Sequence, residues 1–153
     1  LRPARPCYRP HAMRPYTVPW RGGRMPPVHF LYHLRPMNVD VRKSGEVVIV
    51  DFSGRLALGG GEELLSAVVT ELLAEDYKRI LLNLTDVEYI DSSGLGELVQ
   101  SYRASQKKGA TMKLLRPQER VRKSLHLSKL LPLFDVHDDE KEAVESFAAE
   151  PGA

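Results

Sequence analysis

Residues 91–94 read Asp-Ser-Ser-Gly, between a run of apolar residues and a stretch of helical period. Two hydroxyls beside a carboxylate, where a loop enters a helix, could carry a phosphate. Free backbone N–H groups and the positive end of the helix dipole would stabilise a phosphate on a serine there. Such a group adds about −1.5 to −2 charge at one surface point, enough to switch a binding surface. Asp and Ser are equally the preferred N-cap residues, so the same tripeptide also reads as a plain helix start. Gly94 and Gly96 would keep the neighbouring surface low and let a large partner approach the hydroxyl.

The sequence carries no motif for another chemistry. The chain has no GxxxxGK[ST] phosphate loop, which argues against a nucleotide-hydrolysing enzyme. Gly94-Leu95-Gly96 begins a dinucleotide-type GxGxxG, but position 99 is Val. Ser92 and Ser93 lack the glycine two residues earlier that a nucleophile elbow needs. From residue 37 onward the histidines are His126 and His137, neither in metal-ligand spacing. His137-Asp138-Asp139 reads as a solvated helix start with an Asp cap rather than a metal cluster. Basic clusters at Lys107-Lys108 and residues 116–123 read as solvated faces, because no aromatics interleave them as a nucleic-acid platform requires. The expectation is a protein with no catalytic residues, no metal and no cofactor.

The elements that must position the serines follow from periodicity. Val39 and Val41 alternate with polar neighbours, Ser44-Gly45 supplies a turn, and residues 47–52 read as a second, antiparallel strand that Ser53-Gly54 ends. Gly59-Gly60-Gly61 breaks the chain before a helix at 62–75, with Leu64, Leu65, Val68, Val69, Leu72 and Leu73 on one stripe. Residues 79–84 (RILLNL) read as a strand buried on both faces, and 85–90 as a loop into Asp91. A helix then carries Leu95, Leu98, Val99 and Tyr102 on one face and stops near Lys108-Gly109. Residues 111–115 alternate as a strand, Pro117 opens a helix at 118–125, 130–136 hold a final strand, and 139–149 a last helix with Ala143, Val144 and Phe147 inward. The order β-β-α-β-α-β-α-β-α predicts an α/β fold: a mostly parallel sheet of about five strands with an antiparallel edge, flanked by about four helices.

Composition bounds the rest. At 153 residues, 42% hydrophobic and 27% charged, the chain suffices for one domain with a real core. No stretch approaches the roughly 18 apolar residues of a membrane span, so no direct membrane insertion is expected. One cysteine, Cys7, excludes a disulfide framework and points to a reducing compartment, the cytoplasm. The net charge of +2 divides sharply: residues 1–36 carry +7, with seven arginines, no acid and eight of the eleven prolines, while 37–153 carry −5. Those prolines deny the first segment a helix, so it reads as a disordered extension. A basic arm for nucleic acid or acidic membrane, a transit peptide and a non-native leader compete for it. The leader reading is the expectation, with Met37 as the start, a domain over 37–150 and no nucleic-acid partner.

Residues 81–115, LLNLTDVEYIDSSGLGELVQSYRASQKKGATMKLL, together with VVIVDFSGRL at 47–56, resemble the STAS domain. That fold is shared by bacterial anti-sigma factor antagonists and the cytoplasmic ends of sulphate transporters, and the similarity runs over about residues 38–148. The resemblance implies a phosphorylation-controlled switch. The unphosphorylated antagonist sequesters an anti-sigma factor, commonly one with a histidine-kinase-like serine kinase domain, and frees a sigma factor for transcription. Phosphorylation of Ser92, with Ser93 as the alternative, would block binding, and a PP2C-type phosphatase would restore it. Asp91, Ser92, Ser93, Gly94, Leu95 and Gly96 would form the partner surface. Many antagonists carry an Asp after the G-[ER]-L of the loop following the second strand; here Gly54-Arg55-Leu56 leads instead into Ala57 and a Leu-Gly-Gly-Gly run. The competing reading within the fold is a STAS subunit of an ABC-type membrane transport complex.

Overall fold

The first two strands form the hairpin that their alternation predicts. In the computed structural model, which describes residues 37–148, β1 (Asn38–Ser44) pairs antiparallel with β2 (Val47–Leu56). Gly45, at φ 59°, takes the left-handed position that the two-residue turn requires. Three strands then add in parallel: β3 (Arg79–Ile90), β4 (Thr111–Leu115) and the two-residue β5 (Val136–His137). The sheet order is β1-β2-β3-β4-β5, the order of the chain itself. The extension expected over 1–36, and the last residues of the expected 37–150 domain, lie outside the described residues.

Helices make the crossovers: α1 (Gly61–Ala74), α2 (Ser92–Lys107) and α3 (Glu119–Leu127), with α4 (Glu140–Ala148) following β5. Crossovers of one hand, made from a sheet that grows in one direction, stay on one face. Accordingly Val50 and Phe52 of β2 and Leu82 and Leu84 of β3 pack with Leu65 and Leu72 of α1, Leu98 of α2, and Val121 and Leu125 of α3. The other face is a separate, smaller cluster in which Val47, Ile49, Leu81 and Leu115 meet Ala143 and Phe147 of α4. Leu81 thus faces one layer and Leu82 the other, as expected for a strand buried on both sides. The mixed sheet with its antiparallel edge and four helices is the predicted fold class.

Apolar contact and charge hold α4 together. Full burial of Phe147 contributes about 1.5–3 kcal/mol. At the N-terminal end Arg42 of β1 pairs with Asp51 at 2.6 Å and also with Glu140, while the Asn83 amide donates to Asp51 at 2.7 Å. The hydrogen bond from Arg42 holds the Glu140 carboxyl below its ordinary value against an opposing effect of burial, and the guanidinium is correspondingly raised. At the other end Lys113, 2% exposed, donates to Ser146 at 2.9 Å, pairs with Asp135 at 3.0 Å and lies over the Phe147 ring. Burial alone would raise Asp135, but its bonds to Lys113 and His137 leave its pKa lowered.

Three expectations need correction. β2 runs on through Ser53-Gly54 to Leu56, and β3 through residues 85–90, because the pair slips register by one residue twice, between Asp51 and Ser53 and between Gly54 and Arg55. These bulges absorb residues that break a simple alternation, and Gly54 sits at φ 109°. Residues 130–136 are not a strand: Leu131–Leu133 form a 3-10 turn and only Val136–His137 pair. Pro132 has no N–H for a ladder, and its fixed φ suits the turn. Finally Pro117 precedes the N-cap Gln118 of α3 instead of opening its first turn.

Candidate functional site

β2 and β3 continue together beyond the rest of the sheet. β4 last pairs with β3 at Asn83, and β1 first pairs with β2 at Ser53, whereas the β2–β3 pairing continues to Leu56 and Ile90. Asp91 follows at the tip of this two-stranded arm and caps α2. Its backbone is extended, and its Oδ1 accepts from the Gly94 amide at 2.9 Å. The other oxygen, Oδ2, accepts from the Leu58 amide at 3.0 Å, so one carboxylate ties the β2–α1 loop to the start of α2.

Ser92 is the first helical residue and is exposed; Ser93 is half-buried. The first amides of a helix have no intrahelical acceptor, and of these the Gly94 amide is already taken by Asp91. A phosphate on Ser92 Oγ would therefore sit at the positive end of α2 without competing with the cap. Asp86 and Glu88 of β3 and Glu63 in the first turn of α1 are exposed.

The two glycines differ in role. Gly94 is buried, and a Cβ there would lie 2.0 Å from the Leu56 carbonyl oxygen and 2.9 Å from Ile90 Cγ1. Its absence of side chain lets α2 dock on the end of β2. Gly61 does the same for α1, where a Cβ would meet the Arg55 carbonyl oxygen at 2.3 Å. Both helices thus start against one dipeptide. Gly96 is exposed with nothing within 4 Å of a Cβ, and it alone of the pair leaves the surface low. Leu95 is half-buried at the edge of the front core.

Of the six residues expected at the partner surface, the structure places Ser92 and Gly96 outward, Ser93 and Leu95 partly outward, and Asp91 and Gly94 in structural roles. Sequence reasoning missed Leu58, which is 75% exposed beside Asp91. The glycine run marks its loop, but an apolar residue next to Ala57 reads as core. It also missed Arg55 stacked on the Tyr89 ring at 4.3 Å, a pair that the second register slip brings opposite each other.

The remaining candidates resolve simply. Asp139 accepts from the Glu142 amide at 2.9 Å and caps α4, and Asp138 pairs with Arg122 at 2.5 Å. Among the described residues no group of His, Cys, Asp and Glu side chains is arranged to hold a metal, and no helix is long and apolar enough to cross a membrane.

A mixed sheet laid down in chain order, with a projecting arm whose tip starts a glycine-docked helix, defines the class: an α/β domain with its distinctive surface at that tip. The STAS domain model matches residues 38–143, and the chain belongs to that family. It is 33% identical over 100 residues to a Thermotoga neapolitana protein described as a candidate anti-sigma factor antagonist, covering 65% of this chain and 88% of the relative. The anti-sigma-B factor antagonist of Bacillus subtilis is 29% identical over 100 residues, covering 65% and 90%. Among solved structures, a candidate anti-sigma factor antagonist from Thermotoga maritima superposes with TM-score 0.65 at 31% identity over 69% of this chain and 91% of that one. The unphosphorylated antagonist SpoIIAA shares the fold, with TM-score 0.63 at 23% identity over 74% and 98%.

Proposed function

We propose that this chain is an anti-sigma factor antagonist that acts by binding and supplies no catalytic group of its own. The unphosphorylated domain, residues 37–150, sequesters an anti-sigma factor in the cytoplasm and so frees a sigma factor. The serine kinase domain of that anti-sigma factor, of the histidine-kinase-like type, moves the γ-phosphoryl of ATP to Ser92 Oγ. The added charge then breaks the complex, and a PP2C-type phosphatase removes it. The observation that carries this reading is the exposed Ser92 hydroxyl at the first position of α2, with Asp91 rather than the serine serving as the cap. A serine that is not needed to start its helix is free to carry a regulatory group. The names of the relatives support the same reading.

The test is capture from the native lysate with wild-type chain and with Ser92→Asp, bound proteins being identified by mass spectrometry. An ATPase of the histidine-kinase-like class, retained by wild type and lost by the variant, is the expected result. A transporter component retained equally by both would overturn the switch and move the chain to the transport class.

A further inference from the structure

Away from the tip, the outer side of α3 departs most from an ordinary surface. Val121 and Leu125 are fully buried and set the inner face, so helical period places Arg120, Lys123 and Leu127 along the opposite stripe. All three are exposed, as is His126, and Leu127 is 70% exposed. The helix then ends in a tight reversal in which the Lys129 amide donates to the His126 carbonyl at 3.0 Å and the Leu130 amide to Leu125 at 2.9 Å. Lys129 sits at φ 58°, in the left-handed position that glycine usually takes in this turn. A lysine is thus fixed at the apex, and Leu133, 39% exposed, follows it.

The charge here is one-sided. Residues 116–134 hold five bases, Arg116, Arg120, Arg122, Lys123 and Lys129, against one acid, Glu119. Arg122 pairs with Asp138; among the described residues no carboxylate pairs with Arg120, Lys123 or Lys129. Two of the three exposed large hydrophobic side chains of the described residues, Leu127 and Leu133, fall in this same stretch of chain.

We propose that the outer face of α3 and the turn after it dock peripherally on an anionic lipid bilayer. The bases complement the headgroup charge, and the two leucines reach the apolar depth beneath it. Nucleic acid matches the charge but offers no such depth, and no exposed Phe, Tyr or Trp between 116 and 134 could stack on a base. The outer side of one short helix is convex and gives a peptide no groove. Each base near an anionic surface strengthens binding roughly fivefold, so three unpaired bases supply about a hundredfold, weakened by salt. The crossover helix runs back against the parallel strands, so the end of α3 lies away from the arm that carries Ser92. Docking there leaves the phosphorylation surface facing water.

The test uses the full chain in co-sedimentation with vesicles of phosphatidylcholine alone and with about one third phosphatidylglycerol, at low and high salt. Three variants accompany wild type: Lys123→Glu with Lys129→Glu, Leu127→Ser with Leu133→Ser, and Lys107→Glu with Lys108→Glu as a control in the other basic cluster. Thermal melting confirms that each is folded. Wild type is expected on the anionic vesicles only, released by salt, with at least a tenfold loss in the first variant, a severalfold loss in the second and none in the control. Equal retention on neutral vesicles overturns the proposal. So does wild-type binding by the first variant, which would assign the affinity to another basic segment such as residues 1–36. Binding of a DNA duplex that depends on Lys123 and Lys129, without vesicle binding, overturns it in favour of nucleic acid.

Discussion

The Asp91 carboxylate accepts a hydrogen bond from the Leu58 amide, 33 residues earlier, at 3.0 Å. The same side chain caps α2 through Gly94, so the loop after β2 and the helix bearing Ser92 are held by one group. A change at either end of the tip is felt at the other.

Replacing that group tests the relationship. Asp91→Ala removes a helix cap, worth about 0.5–2 kcal/mol, and a charge-assisted bond worth about 1.5–3 kcal/mol. A loss of roughly 2–4 kcal/mol in urea unfolding is expected. Asp91→Asn keeps an acceptor oxygen and should lose clearly less.

The two glycines of the site should respond in opposite directions. Gly94→Ala places a methyl 2.0 Å from the Leu56 carbonyl, so the start of α2 must shift, and melting temperature should fall sharply. Gly96→Ala meets nothing within 4 Å on an exposed helix position and should stabilise by about 0.8–1 kcal/mol. Equal effects would show that α2 does not dock through Gly94.

Acid should loosen α4. The bond from Arg42 lowers the Glu140 pKa in the folded state. Its contribution is therefore complete above the unfolded carboxylate value of about 4.3 and is lost as pH falls through the lower folded value. The pair is partly solvated, which holds the effect to about 1 kcal/mol or less. Wild type and Glu140→Gln should differ in melting temperature at neutral pH and converge in strong acid.

Lys113 separates charge from packing. Lys113→Met keeps a long apolar side chain in the buried position, gives up the ammonium's contact with the Phe147 ring and removes the cost of burying a charge, so stability should change by under about 1 kcal/mol or rise. Lys113→Ala also loses the stem and should cost roughly 2–3 kcal/mol in the same unfolding measurement. A large loss in the Met variant would make the charge itself essential to seating α4.

Sequence pattern is informative where one local rule decides. The strand at 111–115 is bounded by Gly109 and Pro117 and appears at those residues, and α2 announces itself through its caps and apolar stripe. The arm is hidden because Gly54 and the pair Thr85-Asp86 interrupt the alternation, and only pairing between distant segments shows that bulges at 84–85 and at Glu88 keep the two strands together. The site divides the same way. Asp-Ser-Ser-Gly is recognisable as residue types suited to a helix start. That Gly94 serves packing against Leu56 while Gly96 stays open depends on a contact 38 residues away along the chain. Likewise Leu58 is outward because Asp91 pins its amide, which no local period encodes.

The sheet is laid down in the order of the chain, and this governs how it is made during synthesis. No strand must wait for a later one to be threaded between it and its neighbour, so pairing can follow the ribosome from β1 onward, one hairpin turn and then three helical crossovers. The back face is the exception. Val47, Ile49 and Leu81 are made early, yet their cover comes from Ala143 and Phe147. Until those last residues emerge, the growing chain carries an uncovered apolar face, and this is the interval in which it most needs a chaperone.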